Sequence, residues 1–404
     1  MNAVGVIVEY NPFHNGHAFH LYGAKEQANA DIVIAAMSGN FLQRGEPALV
    51  SKWKRTEMAL KAGADIVFEL PYTFATQQAD SFASGAVSIL AASGCNSLCF
   101  GSESGNIDSF YRTIDFLKNN NELFQQKVKY HIAQGNSYPK ATSLAFLDLM
   151  PNEDMLDLSK PNNILGYQYI LSVQKQQASI NVFTVSRKSA DYHDAYFSSE
   201  TIASATSIRK ALFSENGDIS SVRQYLPDTS YNSLLEYKAE YGHFHDWEQY
   251  FPLLKFRLIQ TTPAQLKNIY EVEEGLENRL ISTALESYTF KQFMEKLKTK
   301  RYTWTRLQRT CVHILTNTTK NEMDRKVEKA SYLRLLGMTS KGREYLNKHK
   351  AQLGLPLISK LTLEQNEQLM LDIRASRIYA LGTTGKNQQR LLEMEFKQPP
   401  LILN

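Results

Sequence analysis

The sequence predicts an α/β fold: a largely parallel sheet in the first half of the chain, followed by an α-helical second half. Two observations carry this. Short apolar runs recur at residues 4–8, 31–36, 65–71, 96–100 and 180–185, separated by stretches with helical spacing. Such alternation implies parallel strands joined by right-handed crossovers. Beyond residue 225 the strand signal disappears and long periodic stretches follow, for example 304–315. A chain of 404 residues exceeds a typical single domain. The expected organisation is therefore an α/β domain over residues 1–228, with a helical insertion at about 107–150, and an α-helical, partly basic domain over residues 229–404.

Each element has its own signal. Residues 4–8 read as a buried strand, followed by a proline-containing turn and a helix over 17–29. Residues 31–36 give the second strand, a loop with Gly39, Asn40, Arg44 and Gly45 follows, and 51–62 is helical. The third strand, 65–71, stops at Pro71. Small residues over 79–92 suit a helix packed closely on a sheet, and the fourth strand, 96–100, runs into Gly101. Pro161 starts another helix, the fifth strand ends in Ser186-Arg187-Lys188, and a further helix begins near Thr206.

Composition excludes several classes. At 43% hydrophobic and 21% charged residues, the chain is neither disordered nor fibrous. No apolar stretch reaches the ~18–20 residues of a membrane span. The first apolar run is too short, and lacks the basic leader, to be a signal peptide. Cys95, Cys99 and Cys311 are too few and wrongly spaced for a zinc site or a disulfide framework, so a reducing cytoplasm is expected. The net charge of +4 hides an asymmetry: residues 291–350 hold 16 Lys and Arg against 5 Asp and Glu, an excess of +11, which leaves −7 for the remainder. A polyanion contact is thus expected in the C-terminal part.

The strongest chemical signal is His14-Asn15-Gly16-His17, placed between a buried strand and a helix. Helix starts at the carboxyl ends of strands attract anions, and open α/β sheets bind ligands there. Group transfer at phosphorus needs positive donors around the charge that builds up in the transition state, which imidazoles can supply. Gly16 would let a backbone approach phosphates. The bland alternative is a pair of structural histidines. Gly101 follows a strand where a side chain would obstruct a nucleotide, or is an ordinary turn glycine. Asn162 opens a helix and could be its N-cap. Arg187 ends a strand facing the same cleft and could hold phosphates. Thr206 and Arg209 begin a capped helix. Lys52 and Arg55 are as readily solvated as functional. Asp191, His193 and Asp194 form a polar loop without a metal motif. Lys296, Lys298, Lys300, Arg301, Arg306 and Arg309, interleaved with Tyr302 and Trp304, suit RNA contact with stacking on bases, or simply a solvated helix face.

The string Val6-Ile7-Val8-Glu9-Tyr10-Asn11-Pro12-Phe13-His14-Asn15-Gly16-His17 resembles the signature of the HIGH-type nucleotidyltransferase superfamily, whose core is Rossmann-like. Met37-Ser38-Gly39-Asn40-Phe41, Gln43-Arg44-Gly45, Phe100-Gly101-Ser102-Glu103, Lys160-Pro161-Asn162-Asn163, Arg301-Tyr302-Thr303 and Tyr332-Leu333-Arg334-Leu335-Leu336-Gly337 narrow the resemblance to the bacterial tRNA(Met) cytidine acetate ligase family. The resemblance implies that ATP activates acetate as acetyl-adenylate. The acetyl group then passes to N4 of the wobble cytidine of elongator tRNA(Met). It implies Mg²⁺ with the ATP, and no membrane or DNA partner. His14 and His17 are expected to be catalytic. The nucleotide is expected on Ile7, Val8, Glu9, Tyr10, Asn11, Pro12, Phe13, His14, Asn15, Gly16, His17 and His20, with Gly101, Asn162, Arg187 and Lys188. A small-molecule nucleotidyltransferase, or a non-catalytic RNA-binding protein with a relict nucleotide fold, are the competing readings.

Overall fold

The computed structural model describes residues 1–150, 154–187, 201–215, 217–273, 275–323, 328–361 and 366–404. One sheet runs through the molecule, built from β1 (Ala3–Val8), β2 (Ile32–Ser38), β3 (Ile66–Leu70), β4 (Ser97–Ser102), β5 (Asn181–Ser186), β6 (Leu333–Thr339), β7 (Leu357–Ile358) and β8 (Leu401–Leu403). The first five strands are parallel in the order β5-β4-β1-β2-β3. The chain leaves β1 toward β2 on one side and reaches β4 on the other. The order therefore reverses between β1 and β4, and the crevice outside their carboxyl ends is where such sheets take ligands.

The central strands are mostly apolar because both faces are covered. All seven residues of β2 are buried. Ile32, Ile34 and Ala36 enter the core on one face, while Val33, Ala35 and Met37 enter the core on the other. This is the alternation that a two-residue period requires. Three helices, Ile107–Asn119, Asn121–Ala133 and Tyr138–Asp148, occupy the stretch expected as a helical insertion.

The second half is mainly helical, but the strand signal does not end at residue 225. β6 pairs antiparallel with β3, from Ile66↔Met338 to Glu69↔Arg334, and β7 and β8 add to β6. Arg334 interrupts the apolar run of β6, and the spacing of Leu333 and Leu336 imitates a helix face. A third core joins the C-terminal helices to the loop after β2, with Phe41, Leu42 and Ala48 packed among Trp247, Tyr250, Leu307 and Tyr379. The sheet and the helical half are thus fastened together along the edge that carries the ligand crevice.

Candidate functional site

The turn after β1 leads into helix α1 (Asn15–Gln27) through an unusual cap. His14, in extended backbone conformation, is the N-cap residue, and its Nδ1 accepts the Gly16 N–H at 3.0 Å. The His17 Nδ1 in turn accepts the His14 N–H at 3.3 Å. Two imidazoles thereby do what Ser and Glu do in an ordinary capping box. Their rings stack with centroids 3.7 Å apart. Because each Nδ1 accepts, each neutral ring carries its proton on Nε2, so both present an N–H donor away from the helix.

Burial and neighbouring cations favour the neutral form of these imidazoles. Burial, then Arg187 and Arg209, push His14 down to about 3. Burial, then His14 and Arg187, hold His17 well below the usual histidine range. His20, one turn further on, is pushed down to about 4 by burial and then Arg187, against a backbone hydrogen bond with Cys99. Its buried Nε2 has no partner among the described residues.

The fold itself gives Gly16 a steric reason. A Cβ there would sit 2.9 Å from His14 Cε1, so the glycine makes room for the capping imidazole itself. Gly101 is the opposite case. A Cβ would meet nothing closer than Arg187 Cγ at 3.5 Å, an ordinary contact, so nothing among the described residues demands a glycine there.

The remaining residues of the turn are held by contacts within the protein. Ile7 and Val8 close β1. Tyr10 and Phe13 are fully buried, 4.6 Å apart, and flank His17 at 5.0 and 5.6 Å. Pro12 is buried between them in sequence. Asn11 Oδ1 accepts the Leu49 N–H at 2.7 Å, and its carbonyl accepts from Arg209 Nη1 at 2.9 Å. Asn15 Nδ2 donates to the carbonyls of Thr201 and Gln224, both at 2.9 Å. Glu9 Oε1 accepts the Gln43 N–H at 2.7 Å, while burial raises its pKa. Arg209 also pairs with Glu46 at 2.8 Å, tying its helix to the loop after β2.

Across the crevice the structure brings Gly101, Asn162 and Arg187 together. Exposed Arg187 donates through Nη1 to Asn162 Oδ1 at 3.1 Å, and its stem lies over Gly101. Asn162 lies in the first turn of the helix Pro161–Gln176 rather than at its cap, which is Lys160. The amides there are met instead by Glu103, which accepts from Asn163 N at 2.9 Å and from Asn162 Nδ2 at 2.7 Å. Sequence reasoning did not place Glu103 in the site. A helix opening with Pro161 and no Ser, Thr or Asp cap was the available signal. Lys188 lies outside the described residues, as do Asp191, His193 and Asp194.

Some basic residues are not where a solvated reading puts them. Lys52 is fully buried and paired with Glu69 at 2.7 Å and Glu395 at 2.9 Å. Arg55 is also fully buried. In the basic stretch, Arg309 is buried in an ion pair with Glu271 at 2.6 Å, and Tyr302 is buried and cannot take a base. Lys296, Lys298, Lys300, Arg301 and Trp304 do reach the surface.

A family model described as HIGH Nucleotidyl Transferase matches residues 1–394. The tRNA(Met) cytidine acetate ligase of Geobacillus sp. (strain WCH70) is 49% identical over 406 residues, with 100% of both chains covered. The chain belongs to the tRNA(Met) cytidine acetate ligases of the HIGH nucleotidyltransferase family. The ligase of Bacillus subtilis (strain 168) is 49% identical over 385 residues, covering 94% of this chain and 92% of that one. The structure of Thermotoga maritima TmcAL bound with alpha-thio ATP superposes with a TM-score of 0.88 at 34% identity, with 100% of both chains covered. The family assignment makes the Rossmann-like reading of the sheet and the ligase reading of the chain one and the same.

Proposed function

We propose that the crevice between β1 and β4 binds ATP, activates acetate as acetyl-adenylate, and delivers the acetyl group to N4 of the wobble cytidine of elongator tRNA(Met). AMP and pyrophosphate are released. The observation that carries this is the stacked His14–His17 pair, whose Nε2–H donors stand at the start of α1 with Arg187 beside them. An acetate oxygen attacks the α-phosphorus, the bond to pyrophosphate breaks, and negative charge gathers on the oxygens around phosphorus. Preorganised donors placed at that charge stabilise the transition state without reorganising. Phosphates also raise the pKa of the imidazoles they touch, so the pair becomes more readily protonated when ATP is bound than when it is absent. The cytidine amine then attacks the acetyl carbonyl, AMP departs with the electron pair of the broken bond, and the amine loses one proton.

Among the described residues no three His, Cys, Asp or Glu are grouped to hold a metal. Glu103 is committed to the start of the helix Pro161–Gln176, and Glu9 to the Gln43 N–H. These residues do not form an oxygen cage for Mg²⁺, so we assign any Mg²⁺ to the phosphates and water it arrives with. For the RNA, the exposed Lys296, Lys298, Lys300 and Arg301 are the proposed contacts, which gives residues 1–228 the adenylation and residues 229–404 the RNA. No helix among the described residues is long and apolar enough to cross a membrane. With a tRNA substrate, a cytoplasmic location is proposed, without DNA or membrane partners.

The test is labelled acetate, ATP and elongator tRNA(Met) incubated with the protein. The expected result is N4-acetylcytidine at the wobble position with one AMP per acetyl group. Labelling that requires acetyl-CoA in place of acetate and ATP would overturn the reading.

A further inference from the structure

Where parallel strands end, their last carbonyls point out of the ladder with nothing to accept from. At the carboxyl ends of β1 and β2 this leaves an electronegative rim, at the place where an ATP would bring its own negative phosphates. One side chain covers that rim. Arg55, in helix α2 (Lys52–Lys61), is 0% exposed. Its Nη1 donates to the carbonyls of Glu9 at 2.7 Å and Ser38 at 3.0 Å. Its Nη2 donates to the carbonyl of Gly39, and its Nε to Val50 at 3.3 Å. Glu9 is the first residue of the nucleotide turn, and Ser38 is the last residue of the neighbouring strand, one step beyond the Val8↔Met37 rung. Among the described residues no carboxylate pairs with Arg55. Burial lowers its pKa to about 10, with Glu9 and Glu69 acting on it from further away, so it stays charged at neutral pH.

We propose that Arg55 is a positioning residue for the nucleotide turn: its planar fork fixes the Glu9 carbonyl against the end of β2, and its unneutralised charge reverses the sign of the rim that the phosphates approach. This rests on the reading that the turn binds ATP. Arg55 touches no ligand itself. A rigid fork is required, because the carbonyls of Glu9, Ser38, Gly39 and Val50 lie in different directions around one group, and a lysine ammonium is a single point that cannot reach them all. The neighbouring cation on the same helix, Lys52, is fully paired with Glu69 and Glu395 and lends the rim no net charge. Arg55 is the one that does.

The test compares wild type, Arg55→Lys, Arg55→Gln and His17→Ala by acetate-dependent exchange of labelled pyrophosphate into ATP, with KM and kcat for ATP read separately and folding followed by circular dichroism. A merely structural residue lowers the amount of folded enzyme and the apparent kcat, but leaves KM unchanged, because KM is read on folded molecules alone. The expected result is a KM for ATP raised on the order of 10- to 100-fold in Arg55→Lys and Arg55→Gln, the size of effect that a misplacement of about an ångström produces. Millimolar guanidinium should bring the KM of Arg55→Gln back toward wild type. Native KM in the folded fraction of both variants, with His17→Ala inactive, overturns the role of Arg55 alone. Full exchange by His17→Ala overturns the ATP reading of the turn, and the role of Arg55 with it.

Discussion

Gly16 and Gly101 look alike in the sequence, and their alanine variants should fail in different ways. At 101 the new Cβ meets nothing among the described residues closer than Arg187 Cγ at 3.5 Å, and the backbone is not in the left-handed region. Replacing glycine at such a position stabilises by about 0.4–1 kcal/mol through the unfolded chain. The melting temperature of Gly101→Ala should therefore hold or rise. The same methyl projects into the space assigned to ATP, and overfilling a fitted site costs about 1–3 kcal/mol. At 1.4 kcal/mol per tenfold, that is a loss of roughly 5- to 150-fold in ATP affinity. At 16 the Cβ would lie 2.9 Å from His14 Cε1 and 3.1 Å from its Nδ1. His14 must move, the cap of α1 opens, and stability and activity fall together. The assays are thermal denaturation for the protein alone and pyrophosphate exchange at graded ATP. The reasoning is refuted if Gly101→Ala melts early, or if it exchanges with the KM of wild type.

The buried imidazoles also make a pH prediction. The His14 pKa of about 3 in the folded chain lies below the ordinary value of 6.5, so the unfolded chain binds more protons between those values and stability falls as pH drops from about 6.5 toward 3. Thermal denaturation without ATP should show that slope, and His14→Asn should lessen it, with His17 and His20 supplying the same sign of dependence. Arg309→Ala leaves Glu271 buried without its partner and should destabilise by about 3–5 kcal/mol in chemical denaturation. Reversing the charges of Lys298, Lys300 and Arg301 should instead leave stability and pyrophosphate exchange intact while weakening tRNA acetylation; unchanged acetylation would remove the RNA from that surface. Glu103→Ala uncaps the helix Pro161–Gln176 and frees Asn162 from one partner, so the KM for ATP should rise with a stability loss of about 1 kcal/mol, read by exchange kinetics and melting.

The five parallel strands were legible because each is built on a short, mainly apolar run, as a strand covered on both faces tends to be. The nucleotide turn was legible because its histidines stand between a strand and a helix. Asn162 and Arg187 could be proposed as site residues from their places at element ends, although 25 positions separate them, and the structure joins them with a hydrogen bond. β6 escaped because a buried arginine breaks its pattern, and its partner strand lies more than 260 residues away in sequence. The burial of Lys52, Arg55 and Arg309 escaped for a related reason. Helical spacing says which residues share a face, but whether a cation faces water or a buried carboxylate depends on elements such as the Glu395 helix that no local pattern connects to it. At Gly16 the sequence shows a small residue beside a ligand turn, and only the fold adds that the space a side chain would take there belongs to His14.

The measurement that bears most directly on the site is pyrophosphate–ATP exchange without tRNA, comparing wild type with His17→Ala. If the His14–His17 pair adenylates acetate, wild type exchanges label only when acetate is added, and His17→Ala does not exchange. Exchange that ignores acetate, or that survives His17→Ala, contradicts the account.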